Sequence, residues 1–286
     1  MINSEWDLVF FTLIAKMSVG AFIFQEILIH YGSHSHPDIL KLKNRMLWIL
    51  LPLMVMAVFL SFFHLGKPEH AKYSLDNLRT SWLSHEILMI SVFTFLLAAY
   101  AFVFRIWPGR LRLLRIISIL SIISGILLIF SMIKIYMLKT IPIWNSYTTA
   151  IEFILCSLIL GGTLLLVLFE RLTDGATFEE VSYLKSKIKI LSIIVFIALL
   201  ADSGNSIYLY FQEQHFAGIP EMVASYGIIK LFLQIIALLI FFLHIISFQK
   251  HHKFIFSRMA IVFIILLVAE IIGRYGFYIS YASPGV

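Results

Sequence analysis

Eight long apolar runs dominate this chain and leave it few ways to fold. They cover approximately Leu8–Ile29, Leu47–Phe63, Ser84–Phe104, Leu113–Tyr136, Thr149–Phe169, Ile188–Phe211, Tyr226–Phe248 and Phe256–Ser280. A helix of about 17–25 apolar residues crosses the ~30 Å hydrocarbon layer of a bilayer. Barrel strands are far shorter and alternate in polarity, which these runs do not. In lipid the backbone must satisfy its own hydrogen bonds, and helices do so within a single segment. The expectation is an all-α polytopic membrane bundle of about eight transmembrane helices, forming a single integral membrane domain over residues 1–286. Composition agrees: 60% of residues are hydrophobic and 13% charged, against roughly 45–50% and about 25% in soluble domains.

Eight crossings put both termini on one side, and the basic residues indicate which. Lys41, Lys43, Arg45, Arg105, Arg110, Arg112, Arg115, Arg171, Lys185, Lys187, Lys189, Lys250, Lys253 and Arg258 flank one side of the membrane; Lys67, Lys72, Arg79, Lys134 and Lys139 flank the other. Lys and Arg accumulate on the cytoplasmic side, so the termini are expected outside, in the periplasm of a cell whose inner membrane holds the chain. The net charge of +6 is then a topology signal rather than the mark of a nucleic-acid partner. The N-terminus lacks a basic segment and a small-residue cleavage site, so its apolar run is expected to remain as a helix. The single cysteine, Cys156, lies within an apolar run. It rules out an iron–sulfur cluster held by this chain alone, a disulfide within it and a Cys-rich zinc site.

An ionisable side chain inside a membrane helix costs roughly 2.5–3.5 kcal/mol on insertion scales and calls for a reason. Lys16, Glu86, Glu152, Asp202, Lys230, Glu270 and Arg274 all lie within the runs. Given the predicted topology, all seven fall at mid-depth or in the outer half, while Glu26 sits near the inner end of the first helix. Glu270 and Arg274, four residues apart on one helix, share a face and can pair. Interhelical pairing that holds the bundle together explains such charges; a protonatable cavity open to the outer side explains better why they gather toward one face.

The second helix ends at His64, and the connection reads His64-Leu65-Gly66-Lys67-Pro68-Glu69-His70 before Ser81-Trp82-Leu83-Ser84-His85-Glu86 opens the third. Gly66 and Pro68 break the helix, and Ser84 can cap the next, with His85 and Glu86 in its first turn. The two ends of a helical hairpin meet at one membrane face, which can bring His64 and Glu86 together as a base and a carboxylate. The same residues also read as an interfacial histidine and a helix-start glutamate. A b-type haem needs histidines well inside facing helices. His30, His64, His85 and His215 lie near helix ends, His251 and His252 in a loop, and His244 toward the inner end of the seventh helix. No haem is expected, with only a His64-based arrangement left open. Trp82, Trp144 and Tyr147 mark the outer boundary, as aromatic belts do.

Three stretches, in order, resemble the membrane-anchor subunits of the dimethyl sulfoxide reductase family. The first is His64-Leu65-Gly66, Pro68, Ser74-Leu75, Leu83-Ser84 and Glu86-Ile87. The second is Ile141-Pro142 with Trp144 and Ser146. The third is Ala269-Glu270-Ile271-Ile272-Gly273-Arg274 followed by Gly276-Phe277-Tyr278. The resemblance implies a menaquinol-oxidising anchor without haem or metal of its own. It implies two partners as well: an iron–sulfur electron-transfer subunit and a molybdopterin catalytic subunit. The family's quinol-site residues fall on His64 and Glu86, and His70 stands where the family carries arginine, losing the guanidinium fork. Trp82 and Arg274 complete the set of candidate quinol contacts. Anchors of reductases or dehydrogenases with another terminal substrate would look alike, because the anchor does not touch that substrate. A proton-coupled transporter would also bury charges, but usually centres its site at the midplane between repeats, and no internal repeat is evident.

Overall fold

The computed structural model describes residues 3–29, 37–64, 77–141, 144–172, 178–213, 221–251 and 256–280. Among these the regular structure is helical throughout: α1 (Asn3–Leu28), α2 (Pro37–His64), α3 (Trp82–Ile106), α4 (Leu111–Tyr136), α5 (Tyr147–Leu172), α6 (Phe178–Glu213), α7 (Glu221–His251) and α8 (Phe256–Ile279). Each contains a stretch long and apolar enough to cross a membrane. The protein is a multi-pass membrane bundle.

Several helices outrun the apolar segments that announce them. α2 begins at Pro37 and α6 at Phe178, well ahead of Leu47 and Ile188, and His251 closes α7 instead of lying in a loop. α5 likewise runs to Leu172, past the end of its apolar run at Phe169. Hydropathy reports immersion in lipid, whereas helical hydrogen bonding continues through flanking residues such as Lys41, Lys43 and Arg45, which are good helix formers. α3 begins at Trp82, and its cap is Ser81, whose side chain accepts from the Ser84 amide at 3.4 Å. Ser84 is therefore a helical residue, and Glu86 lies in the second turn rather than the first.

α1 is the most buried helix and packs against α2, α4, α5 and α8; α3 pairs with α4, and α7 with α8. Its seam with α5 brings backbone against backbone. A Cβ at Gly20 would overlap the Ser157 carbonyl, and one at Gly161 would overlap the backbone of Gly20 and Ala21. Ser157 Oγ donates to the Lys16 carbonyl at 2.9 Å across the same seam. Small residues at such crossings let membrane helices gain dispersion contacts where no hydrophobic drive exists between them.

Contacts between helix ends define two faces. Where α1 begins, Trp6 stacks on Tyr275 near the end of α8, centroids 4.6 Å apart, and Trp144, just before α5, donates to the Phe277 carbonyl and to Ser280 Oγ at 3.1 and 3.0 Å. We call this the terminal face. At the far face Glu26 of α1 pairs with Lys43 of α2 at 2.9 Å. The same carboxylate accepts from Tyr100 of α3 at 3.0 Å and Ser118 of α4 at 2.8 Å. Both oxygens of this buried glutamate are thus engaged, and it ties the first four helices together.

Candidate functional site

The polar interior of the terminal half is built in two connected parts. The first surrounds Glu86. The side chain is buried on α3, and its Oε1 has no hydrogen-bond partner. It lies within electrostatic range of Tyr136 and Tyr278. The Tyr278 hydroxyl donates to the Tyr136 hydroxyl at 3.2 Å and stands 3.2 Å from Thr12 Oγ1. This short polar relay joins α4, α8 and α1. Each of these helices contributes one oxygen from its terminal-face segment, which is why positions far apart in sequence converge.

The second part is a buried charge cluster drawn from α1, α5, α6, α7 and α8. Lys230 Nζ lies 3.2 Å from Glu152, 3.3 Å from Asp202 and 3.3 Å from Glu270. Arg274 reaches Glu152 at 3.9 Å. The pairing of Glu270 with Arg274 suggested by their spacing is replaced: Glu270 faces Lys230 on α7, and Arg274 turns to α5. Sharing a helix face permits an i,i+4 contact, but a cation arriving from a neighbouring helix competes for the same carboxylate. Gln234 Nε2 donates to Asp202, and Ser206 donates to Gln234 at 3.4 Å. Lys16 and Arg274 share Phe153, with the ammonium 4.4 Å and the guanidinium carbon 4.0 Å from its ring centroid. Cations over an aromatic face gain electrostatic stabilisation, more so when desolvated. That contact leaves their N–H donors unused. Lys16 Nζ and all three guanidinium nitrogens of Arg274 lack a hydrogen-bond acceptor.

Between the terminal-face ends of α5, α6, α7 and α8 lies a cavity of about 70 Å³. Its buried floor carries Glu152 and Lys230, and half-buried Tyr210, Tyr226 and Ser280 line it nearer the helix ends. Gly227 borders it, and a Cβ there would meet only open space. Among the described residues no group of histidine, cysteine, aspartate and glutamate has the arrangement to hold a metal ion.

The candidates read from the sequence separate. Glu86 and Arg274 are both buried and both neighbour the Tyr136–Tyr278 pair. Trp82 stands apart at the first turn of α3, 40% exposed and packed on His85 and Phe130. His64 is the last residue of α2, but its side chain, like the whole of His70, lies outside the described residues. Trp144 is a buried clamp on α8, whereas Tyr147 is 84% exposed. Thr12, Tyr136 and Phe153 were not evident as site residues: a tyrosine near a helix end looks like an interface anchor, and Thr12 and Phe153 look like packing.

A family model described as DMSO reductase anchor subunit (DmsC) matches residues 2–279. An anaerobic dimethyl sulfoxide reductase subunit of Haemophilus influenzae is 27% identical over 286 residues, covering 97% of this protein and 96% of that one. Two Escherichia coli proteins of the same description, one of them YnfH, are each 26% identical over 99% of the present sequence and 96% of their own length. With the match running through all eight helices, the protein belongs to the DMSO reductase anchor subunit family.

Proposed function

We propose that this anchor binds and oxidises menaquinol at its terminal face, on behalf of a dimethyl sulfoxide reductase-like complex. One observation carries the reading: a buried carboxylate, Glu86, keeps an oxygen without a partner within electrostatic range of the hydroxyl-bonded Tyr136–Tyr278 pair. A buried polar atom left unpaired costs free energy, so native structures rarely keep one without a use. A hydroquinone hydroxyl supplies the missing donor, and α2 ends on His64 at the same face. Oxidising the quinol releases two electrons and two protons. This protein has a single cysteine, so the electrons go to an iron–sulfur cluster on a partner subunit and on to a molybdopterin subunit. His64 accepts the first proton, since an imidazole near its ordinary pKa can both accept and release one. Glu86 orients the second hydroxyl and takes its proton. Trp82, at the first turn of α3, offers an aromatic contact at the same end of the helix as Glu86, His70 adds a basic group from the connection, and Arg274 lies deeper beside the tyrosine pair.

The positive-inside asymmetry supports a periplasmic terminal face in the inner membrane, with both partner subunits docked there. Membership of the anchor family weighs against reading the buried charges as those of a transporter.

The test compares quinol-dependent turnover with turnover driven by an artificial dye, whose electrons bypass the anchor. His64→Ala and Glu86→Gln should each lower the quinol-dependent rate by about 10²–10⁴ and leave the dye-dependent rate unchanged. Normal quinol turnover in an assembled His64→Ala complex would remove the assignment.

A further inference from the structure

Apart from Arg274, the charge cluster between α1 and α5–α8 has no part in the proposed binding of quinol, and its hydrogen bonding is incomplete in a revealing way. Lys16 Nζ, Nε and both Nη atoms of Arg274, Asp202 Oδ1 and both Glu270 oxygens are buried without hydrogen-bond partners. The ion pairs around Lys230 neutralise charge but leave these donors and acceptors open. Buried polar groups that lack protein partners are characteristically served by internal water, which needs two to four such groups to stay. The donors belong to Lys16 and Arg274, the acceptors to Asp202 and Glu270, so water placed among them can use both lone pairs and hydrogens. The adjoining cavity of about 70 Å³ has room for several molecules at the roughly 10–15 Å³ that each requires. It reaches from Glu152 and Lys230 toward the terminal face.

From this arrangement we infer that the cluster is a hydrated proton route, carrying protons from the Glu86 region to water at the mouth between α5, α6, α7 and α8. The inference rests on the reading of Glu86 as the group that takes the quinol's protons. The path begins at Glu86 and passes the Tyr136 and Tyr278 hydroxyls, 3.2 Å apart. It then runs beside Arg274, whose guanidinium carbon lies 5.9 Å from the Tyr278 ring, to Glu152 and the cavity. For a proton to leave Glu86 by this path, the Tyr136 hydroxyl turns to donate to Tyr278, the reverse of the resting bond. Each hydroxyl then accepts a proton on its lone pair, passes on the one it held, and turns back before the next proton. Arg274 does not titrate. It stays a fixed positive charge, with Lys16 beside it, that discourages a proton from lingering and holds the waters in line. Glu152, Asp202 and Glu270 are the carboxylates that face the route, and Lys230, which faces all three, joins Arg274 and Lys16 in setting three cations against them. Tyr210 and Tyr226 line the mouth, and Cys156 is buried on α5. The electrons take the separate course to the partner's iron–sulfur cluster.

Gly227 permits a test that touches none of the charges. In the assembled complex, Gly227→Cys should react with a small cationic thiol reagent applied in water. The label is read on this subunit after separation from its partners, where the background is low because Cys156 is fully buried, and the complex without the added cysteine is treated in parallel. Modification should cut quinol-dependent turnover by tenfold or more, spare the dye-dependent rate, and raise the solvent deuterium isotope effect. Gly227→Phe, which fills the space directly, should act in the same direction. An unreactive cysteine in a complex that turns over normally with dye would overturn the inference, and so would full quinol turnover with the mouth blocked. The loss expected of Glu86→Gln would still stand in either case, so failure here is distinct from failure of the quinol site. Should Glu86→Gln leave quinol turnover intact while blocking position 227 abolishes it, the route would not start at Glu86, and the inference as stated would fall.

Discussion

Lys230 faces carboxylates on three different helices, each within 3.3 Å. Removing a partner from a buried ion cluster costs more than the cluster itself contributes, because uncompensated charge is left in a medium that cannot solvate it; values near 3–5 kcal/mol are typical. Lys230→Met should therefore lower the melting temperature of the detergent-solubilised complex sharply. Adding Glu270→Gln should restore part of the loss, since one fewer negative charge then needs a counter-ion. Equal melting of the single and double variants would show that Glu270 is not balanced by Lys230. All the charged members of this cluster could be picked out along the sequence, because a charge inside an apolar run is conspicuous in one dimension. Their pairing could not. Glu270 and Arg274 are neighbours on α8, yet each is engaged by another helix, and that depends on how α5, α7 and α8 are rotated about their axes.

Among the helices, the seam between α1 and α5 tolerates least. A side chain at Gly161 would run into the backbone of Gly20 and Ala21, where neither helix can give by moving a rotamer. Gly161→Leu should destabilise the complex by at least the ~1–3 kcal/mol usual for overpacking, read as a lower melting temperature and less protein in the membrane. Gly204→Leu on α6, where an added Cβ meets nothing within 4 Å, should change neither. Helix number and order were legible from hydropathy alone because immersion in lipid is a property of each helix by itself. The polar extensions of α2 and α6 were not, since no lipid marks them. The Tyr136–Tyr278–Thr12 relay was hidden for a related reason: each residue is ordinary for its place on its own helix, and only the packing of α1, α4 and α8 brings the oxygens together. Glu86 was legible as a candidate, although its helix starts earlier than its spacing suggested.

For the whole molecule, orientation decides which side the partner subunits occupy. The basic residues predict that alkaline phosphatase fused after Val286 is active, because that enzyme folds only in the periplasm, and that a fusion between α5 and α6 is inactive. The reverse pattern would move the proposed quinol site and its partners to the cytoplasm. The position of α1 has a further consequence, for synthesis. α1, made before the other seven helices, carries a buried charge at mid-length and another near its far end. Glu26 finds its bonding partners on α2, α3 and α4, which follow directly from the ribosome. Lys16 instead lies against Phe153 of α5 and within electrostatic range of Arg274 and Glu270 on α8, so it must wait in the bilayer until nearly the whole protein has been made. The far half of the bundle can therefore close early, while the half that would work on quinol stays unfinished until the last helix arrives.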